Sequence, residues 1–184
     1  FVQIRDYVMG DDMRTINWKP TARNNGLMVN PTQDERSQQV YCLVDMGRVM
    51  KMPFEGMSLL DYAINASLVL SNIALRKQDK AGLVTFADTM GSVVPADKKG
   101  GHITKILEVL YNQQTRYLES SYELLFTTIT RRITQRSLLL LFTNFETLSS
   151  LERQLPDMRA LARQHLLGVI FFENTELRKL LDEP

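Results

Sequence analysis

The sequence predicts an α/β domain with a doubly wound, mostly parallel sheet and helices on both faces of that sheet. Several short runs are continuously apolar, which is typical of strands that are covered on both sides. Segments with apolar residues at helical spacing separate these runs. The two kinds of segment alternate from residue 39 to the end of the chain, which is the order of a parallel sheet built from β-α-β units.

The strands of this sheet are predicted from their apolar runs. Four buried strands are expected at residues 40–44, 81–87, 137–142 and 167–172. Residues 91–94 are expected to form a short strand at an edge of the sheet, and residues 174–181 a last short helix capped by Asn174.

The helices between the strands are predicted from capping residues and apolar faces. A capping box formed by Ser58 and Asp61 begins the first helix, and a second box formed by Ser149 and Glu152 begins a later one. Three further apolar faces are expected: Ile103, Ile106, Leu107 and Leu110; Leu118, Tyr122, Leu125 and Ile129; and Leu151, Leu155, Met158, Ala162 and His165.

The first part of the chain has a different character. Residues 1–36 are polar and rich in turn residues, with turns expected at 10–12 and 24–26 and a short strand at 27–29. An Asp of the first turn is expected to cap a short helix that runs towards Trp18. The chain is therefore divided into an N-terminal segment, 1–36, and an α/β domain, 37–184, within one structural unit.

Composition excludes several classes of function. Lys plus Arg is 22 and Asp plus Glu is 21, so a net charge of +1 gives no reason to expect nucleic acid or an anionic membrane as a partner. No apolar run approaches the roughly 20 residues that span a bilayer. The one cysteine, Cys42, lies in a predicted buried strand and is expected to be an unreactive core residue. Because the chain begins within what reads as a structured segment, we expect it to be a fragment of a longer protein.

Two predicted strands end in polar residues. Asp45 follows the first buried strand, and Thr143 and Asn144 follow the third. Ligands bind beyond the carboxyl ends of the strands in doubly wound sheets, so Asp45 and Asn144 are expected to lie close together at that edge. The alternative interpretation is that Asp45 only caps a turn.

A long and regularly spaced set of residues occurs between positions 5 and 27. It consists of Arg5, Asp6, Tyr7, Gly10, Asp11, Asp12, Arg14, Ile16, Asn17, Trp18, Lys19, Ala22, Arg23 and Leu27. This set resembles the signature of domain-of-unknown-function family 58, in which a von Willebrand A-like domain follows. Asn17 stands where the family usually has Asp, which removes a charge and keeps a hydrogen-bond acceptor.

The resemblance implies a partner and a location. Proteins of this bacterial family are typically encoded beside MoxR-type AAA+ ATPases and are thought to act as adaptors or co-chaperones for them. The implied function is a non-enzymatic protein-interaction domain that binds such an ATPase. The implied location is the cytoplasm, with a membrane anchor of the full-length protein outside this fragment.

The resemblance also implies a metal site, from which this sequence departs. Von Willebrand A domains hold Mg²⁺ with an Asp-x-Ser-x-Ser turn and a Thr and an Asp from other loops. Here the degenerate site consists of Asp45, Gly47 and Asn144, without the two serines, and Arg48 is expected to pair with Asp45. A suitably placed Thr is not evident, so the candidate hydroxyls are Thr115, Ser120 and Ser121, and Glu146 is a nearby acid. We therefore expect no metal or other cofactor; the alternative is a metal-dependent binding domain that uses Asp45 and Mg²⁺ to capture an acidic group.

The N-terminal segment holds the candidate partner-binding residues. Trp18 is expected to pack on the sheet, because so polar a segment needs an apolar anchor. The surrounding charges form either a structural pairing network or a recognition surface. The candidates for recognition are Arg5, Tyr7, Asp11, Asp12, Arg14, Lys19 and Arg23.

The sequence offers little for catalysis. It contains no nucleophile elbow and no evident pair of acid and base, and its two histidines lack the spacing of a zinc site. Residues 98–102 resemble a phosphate-binding loop only superficially, because the P-loop spacing is missing. A hydrolase of unknown substrate is therefore a weaker hypothesis than either kind of binding domain.

Overall fold

The structure, a computed structural model, describes residues 4–9, 13, 16–23, 26–29 and 37–172, with only the backbone at Arg5. The described chain forms two compact units, Phe1–Ser37 and Gln38–Pro184. Three expectations lie outside the described residues: the turn at 10–12, the Asn24-Asn25 part of the second turn, and the helix at 174–181.

The elements alternate as the sequence predicts. In chain order they are β1 (Arg5–Asp6), α1 (Trp18–Thr21), β2 (Met28–Val29), β3 (Gln39–Asp45), a 3₁₀ turn (Arg48–Lys51), β4 (Pro53–Phe54), β5 (Met57–Ser58), α2 (Leu59–Arg76), β6 (Lys80–Phe86), β7 (Met90–Asp97), α3 (His102–Tyr111), α4 (Tyr122–Arg132), β8 (Leu138–Thr143), α5 (Leu148–Gln164) and β9 (Leu166–Phe171).

The N-terminal unit is small. Strands β1 and β2 pair antiparallel, and the Asn17 side chain caps α1 by accepting a hydrogen bond from the Lys19 N–H at 3.3 Å. The family variant Asn17 therefore keeps the acceptor function that was expected of it. Trp18 is 68% exposed and begins α1, a helix without buried residues, whereas Val29 is buried. Within this unit Trp18 is not the buried anchor that the sequence predicts. Val29 of β2 is buried instead.

The second unit contains a five-stranded sheet in the order β7-β6-β3-β8-β9. All neighbours are parallel except β7, which pairs antiparallel with β6 at one edge. Helices α2 and α3 cover one face, where Ala63 and Ile106 belong to one core cluster. Helices α4 and α5 cover the other, where Leu125 and Leu161 belong to a second cluster. The predicted fold class is confirmed.

The helix predictions are partly wrong in detail. The capping box of Ser58 and Asp61 is confirmed at the start of α2. Helix α5 instead begins after Thr147, whose hydroxyl accepts from the Ser150 N–H at 3.2 Å, so Ser149 and Glu152 lie inside the helix.

Two other sequence expectations also need correction. Leu118 precedes α4 and is exposed, because Ser121 caps that helix. The edge strand β7 has 8 residues, longer than the predicted segment 91–94. Among the described residues, no helix is long and apolar enough to cross a membrane.

Candidate functional site

Asp45 is the last residue of the central strand β3 and is only 1% exposed. Its Oδ1 accepts hydrogen bonds from the Gly47 N–H at 2.8 Å and from the Ser120 hydroxyl. Its Oδ2 accepts from the Thr143 hydroxyl at 2.7 Å and lies 3.4 Å from the Tyr122 hydroxyl. Both carboxylate oxygens are therefore occupied by donors of the protein itself.

Strand register and a helix start bring these donors together. Val44 pairs with Phe142 in the parallel β3–β8 ladder, so the next residues, Asp45 and Thr143, lie side by side. Tyr122 is the first residue of α4, and its hydroxyl donates to Thr143 Oγ1 while Thr143 donates to Asp45. The Tyr122 ring packs edge-on against Phe86, which fixes the phenol over the end of the sheet.

Residues 112–121 close over Asp45 from above. The Arg116 N–H donates to the Met46 carbonyl at 2.7 Å, and the Arg48 N–H donates to the Leu118 carbonyl at 3.1 Å. A cavity of only about 20 Å³ remains beside Asp45. That volume holds about one water molecule.

The buried position changes the acid–base properties of the site. Burial raises the pKa of the Asp45 carboxyl above its usual range, and the hydrogen bonds from Ser120, Gly47, Thr143 and Tyr122 oppose part of that rise. Burial and the neighbouring Asp45 charge also raise the pKa of the Tyr122 phenol. Tyr122 therefore remains a hydroxyl donor throughout the physiological range.

The residues present do not fit a divalent cation. Mg²⁺ needs about six oxygen ligands in octahedral geometry, usually with several waters. Both Asp45 oxygens already accept protein hydrogen bonds, and the described residues contain no group of three His, Cys, Asp or Glu that could hold a metal ion. The Asn144 side-chain oxygen accepts a hydrogen bond from the Phe145 N–H at 2.9 Å, so it is already occupied within its own turn.

One expectation about this site needs correction, and another is refined. Arg48 does not pair with Asp45; its guanidinium lies 2.9 Å from Glu146, because Asp45 is buried and Arg48 extends outward. Asp45 and Asn144 line the same small cavity, as expected, but the residue of β8 that hydrogen-bonds to Asp45 is Thr143, because parallel register aligns residue 143 with residue 45.

Sequence reasoning found only part of the site. Ser120, one of the candidate hydroxyls, donates a hydrogen bond to Asp45. The helical spacing of Tyr122 predicts a position on a helix face and gives no indication that it belongs to the site. Its role has no local signal, because 77 residues separate it from Asp45.

A mixed surface surrounds the closed site. We call it the edge surface and define it by the exposed residues Tyr117, Leu118 and Leu148 and by the ion pairs Arg48–Glu146 and Arg153–Glu119. Lys51 Nζ lies 3.5 Å from the centre of the Tyr117 ring. An open pocket of about 360 Å³ borders the edge surface and is lined in part by Phe145, Leu148, Leu151 and Phe171.

The N-terminal candidates are only partly described. Lys19 lies on α1 and Arg23 follows it, both exposed, whereas Tyr7 is half-buried and its N–H donates to the Leu27 carbonyl at 2.8 Å. Arg5 lies in β1, and Asp11, Asp12 and Arg14 lie outside the described residues. Their role in recognition stays a prediction.

The remaining reactive side chains are engaged in the fold. Cys42 is buried, and burial raises the pKa of its thiol to about 11, which confirms the expectation of a core cysteine. His102 Nε2 lies 2.7 Å from the Ala81 carbonyl oxygen. His165 is buried, and its Nδ1 accepts from the Ser137 N–H at 3.3 Å.

The sheet order, the helices on both faces and the acid at the end of the central strand define a von Willebrand A-type domain. Residues 3–178 match the family model described as "Protein of unknown function DUF58", and the chain belongs to this family. No curated protein sequence matches it significantly.

Solved structures show the same fold. BatB from Bacteroides thetaiotaomicron matches with a TM-score of 0.53 and 14% identity over 72% of this chain and 65% of that chain. Manganese-loaded TRAP from Plasmodium vivax matches with a TM-score of 0.54 and 18% identity over 80% of this chain and 65% of that chain. The match thus spans about two thirds of either structure, and identities this low establish the fold alone.

Proposed function

We propose that this chain is a non-enzymatic protein-binding domain that needs no metal ion and serves as an adaptor for a MoxR-type AAA+ ATPase in the cytoplasm. The observation that carries the proposal is the closed Asp45 site. The acid that this fold places at its usual ligand-binding edge is satisfied by Gly47, Ser120 and Thr143. We therefore assign partner binding to the surface around the Asp45 site.

The side chains at the site do not support catalysis. A serine nucleophile needs a base that accepts its proton, most often a histidine. Ser120 donates to the Asp45 carboxylate, but the two histidines of the chain hydrogen-bond to Ala81 and Ser137 elsewhere. A buried Asp–Ser pair without an imidazole offers no route for the proton to a leaving group.

The edge surface has the features of a protein interface. Tyrosine and arginine are frequent anchors in interfaces, and charged pairs are typical of the polar rim around such anchors. Tyr117 and Leu118 project beside ion pairs whose members are exposed. The neighbouring pocket of about 360 Å³ is large enough for an aromatic or aliphatic side chain of a partner.

The identity of the partner rests on family membership and not on geometry. Lys19 and Arg23 of the family signature are exposed on the N-terminal unit, and we propose that they bind an acidic patch of the ATPase. A cytoplasmic location follows from the proposed ATPase partner, which needs ATP.

A binding experiment tests this proposal. Calorimetry measures binding to a MoxR-type ATPase from the same genome, once in Mg²⁺ and once in a chelator. The conditions are chosen so that binding does not require ATP hydrolysis. We expect equal affinity in both buffers and a loss of at least about tenfold for Leu118→Ala, as for an interface anchor. Leu166→Ala is the matched control, since Leu166 is 62% exposed and Leu118 is 61% exposed. Leu166 begins β9 at the amino end of the parallel strands, whereas the edge surface lies at their carboxyl end.

Two results would contradict the proposal. Absence of binding by the unmodified chain would remove the ATPase as partner. An equal loss in both leucine variants would remove the edge surface as the site.

The second candidate is the metal-dependent binding domain that uses Asp45. One observation favours it: the hydroxyls of Ser120 and Thr143 converge on the Asp45 carboxylate, and hydroxyl and carboxylate oxygens suit a hard cation. One structural neighbour is manganese-loaded. We rank this candidate second because the cavity of about 20 Å³ holds about one water molecule, fewer than such an ion usually retains.

A further inference from the structure

The outer face of α2 carries an uncharged stripe with a charge at each end. The buried residues of this helix include Ala63, Ser67, Ser71 and Ala74, which face the sheet. Residues on the opposite side of the helix are exposed: Asp61, Asn65, Val69, Asn72, Ile73 and Arg76. No charged residue occurs from 62 to 75.

This stripe is unusual for an exposed helix face. Val69 is 58% exposed and Ile73 is 45% exposed, where a solvated helix normally carries charged residues. An apolar groove of about 340 Å³ lies between α2 and α3 and is lined by Leu68, Val69, Asn72, Ile103, Thr104 and Leu107. Contiguous exposed apolar surface of this kind marks interaction sites.

The order of residues along the stripe is self-complementary. Asp61 and Arg76 are centred on the same point of the helix as Asn65 and Asn72, between Leu68 and Val69. If a second identical helix packs antiparallel about a two-fold axis at this point, each Asp61 faces an Arg76. Each Asn65 then faces an Asn72, and the two amides can hydrogen-bond to each other.

We propose that α2 binds α2 of a second copy of this chain in an antiparallel, two-fold symmetric interface. In a two-fold interface the same patch serves both copies, so residue i contacts j and j contacts i. Val69 lies at the centre of this interface, beside the midpoint of the helix. Paired asparagines on apolar helix faces specify register, and the terminal Asp61–Arg76 pairs specify the antiparallel direction.

The first test measures the oligomeric state of the intact chain by sedimentation over a wide range of concentration. We expect a reversible monomer–dimer equilibrium that Val69→Glu shifts to monomer, because two carboxylates would meet near the axis. Leu148→Glu is the control, since Leu148 is exposed on α5, on the opposite face of the sheet. A monomer at all concentrations, or an equal effect of both variants, would overturn the proposal.

The second test determines the direction of the helices. Cys42 is 1% exposed, so a single introduced cysteine is the reactive thiol of each variant. With a short thiol cross-linker, a mixture of Asn65→Cys and Asn72→Cys is expected to cross-link to mixed dimers, and either variant alone is not. Efficient cross-linking of Asn65→Cys to itself would indicate a parallel arrangement of the two helices and contradict the proposed antiparallel interface.

Discussion

Thr143 and Asp45 are joined by a hydrogen bond of 2.7 Å from the Thr143 hydroxyl to the Asp45 carboxylate, although 98 residues separate them in sequence. The bond connects the ends of two neighbouring parallel strands. Ser120 and Tyr122 extend it into a network that includes the loop above the sheet. Asp45 therefore organises the carboxyl edge of the domain from within, and the first predictions concern this residue.

Replacement of Asp45 by Asn and by Ala is expected to have unequal effects on stability. In Asp45→Asn the amide oxygen still accepts from Gly47 and Ser120, and the amide N–H₂ can donate to Thr143, whose hydroxyl can rotate. We expect its free energy of unfolding to stay within about 1 kcal/mol of the unmodified chain. Asp45→Ala leaves buried donors without an acceptor and is expected to cost about 2 kcal/mol or more, as measured by urea unfolding.

The pH dependence of the free energy of unfolding, compared between Asp45→Asn and the unmodified chain, gives the sign of the Asp45 pKa shift. A carboxyl with a raised pKa in the folded state binds its proton more tightly there, so its contribution to stability is greatest below the unfolded pKa and is lost as pH rises through the folded pKa. Asp45→Asn lacks this loss. We therefore expect Asp45→Asn to gain stability relative to the unmodified chain as the pH rises from acidic to neutral. A relative loss of stability over that range would show that the hydrogen-bond network holds the pKa of the Asp45 carboxyl low.

Divalent cations are expected to leave the melting temperature unchanged. A ligand that binds only the folded state must raise the melting temperature by mass action. Because the Asp45 oxygens are already occupied, Mn²⁺ or Mg²⁺ at about millimolar concentration should give no saturable shift in a thermal melt. A rise that a chelator reverses and that disappears in Asp45→Asn would establish the metal-dependent alternative.

Replacement of Gly47 is expected to destabilise the domain for steric reasons. A Cβ at this position would overlap the Ser120 hydroxyl and lie 3.1 Å from Asp45 Oδ1 and 3.2 Å from the Leu118 carbonyl. Gly47→Ala should therefore displace the covering loop and cost about 1–3 kcal/mol of stability, as overpacking does. Gly100→Ala is the matched control, because nothing lies within 4 Å of its added Cβ. Equal stability of the two variants would show that the loop moves freely.

His165 is expected to make the domain sensitive to mild acid. Burial and the nearby Arg136 lower the pKa of its imidazole, so the unfolded chain takes up a proton before the folded chain does. The contribution of His165 is complete above its unfolded pKa of about 6.5 and is lost as pH falls below that value. His165→Asn retains an acceptor near Nδ1 for the Ser137 N–H and should flatten the fall in unfolding free energy with acid. An unchanged slope would assign the acid sensitivity to other groups.

Local patterns predict the sheet, and long-range contacts decide the site. The buried strands around Leu43 and Leu139 are recognisable because a strand covered on both faces is apolar throughout. The position of Asp45 follows from the end of its strand. Tyr122 and Ser120 reach it only through the path of residues 112–121, which no local spacing encodes.

The cap of α5 shows a similar limit at short range. Two polar residues, Thr147 and Ser149, are both suitable N-caps, and only the backbone direction after β8 selects Thr147. Trp18 shows a different limit: an apolar side chain in a polar segment is expected to be buried, whereas within the N-terminal unit Trp18 lies on a helix without buried residues.

The burial of Cys42 provides a natural reporter of sheet opening. This one thiol lies on the central strand β3, 3.8 Å from the Ser67 carbonyl of α2, so a reagent reaches it only after that helix separates from the sheet. Its labelling rate in the unmodified chain therefore measures how often the core is exposed to solvent. Partner binding, a second copy on α2 or a change at the carboxyl edge would each register as a change in that rate, without any added probe.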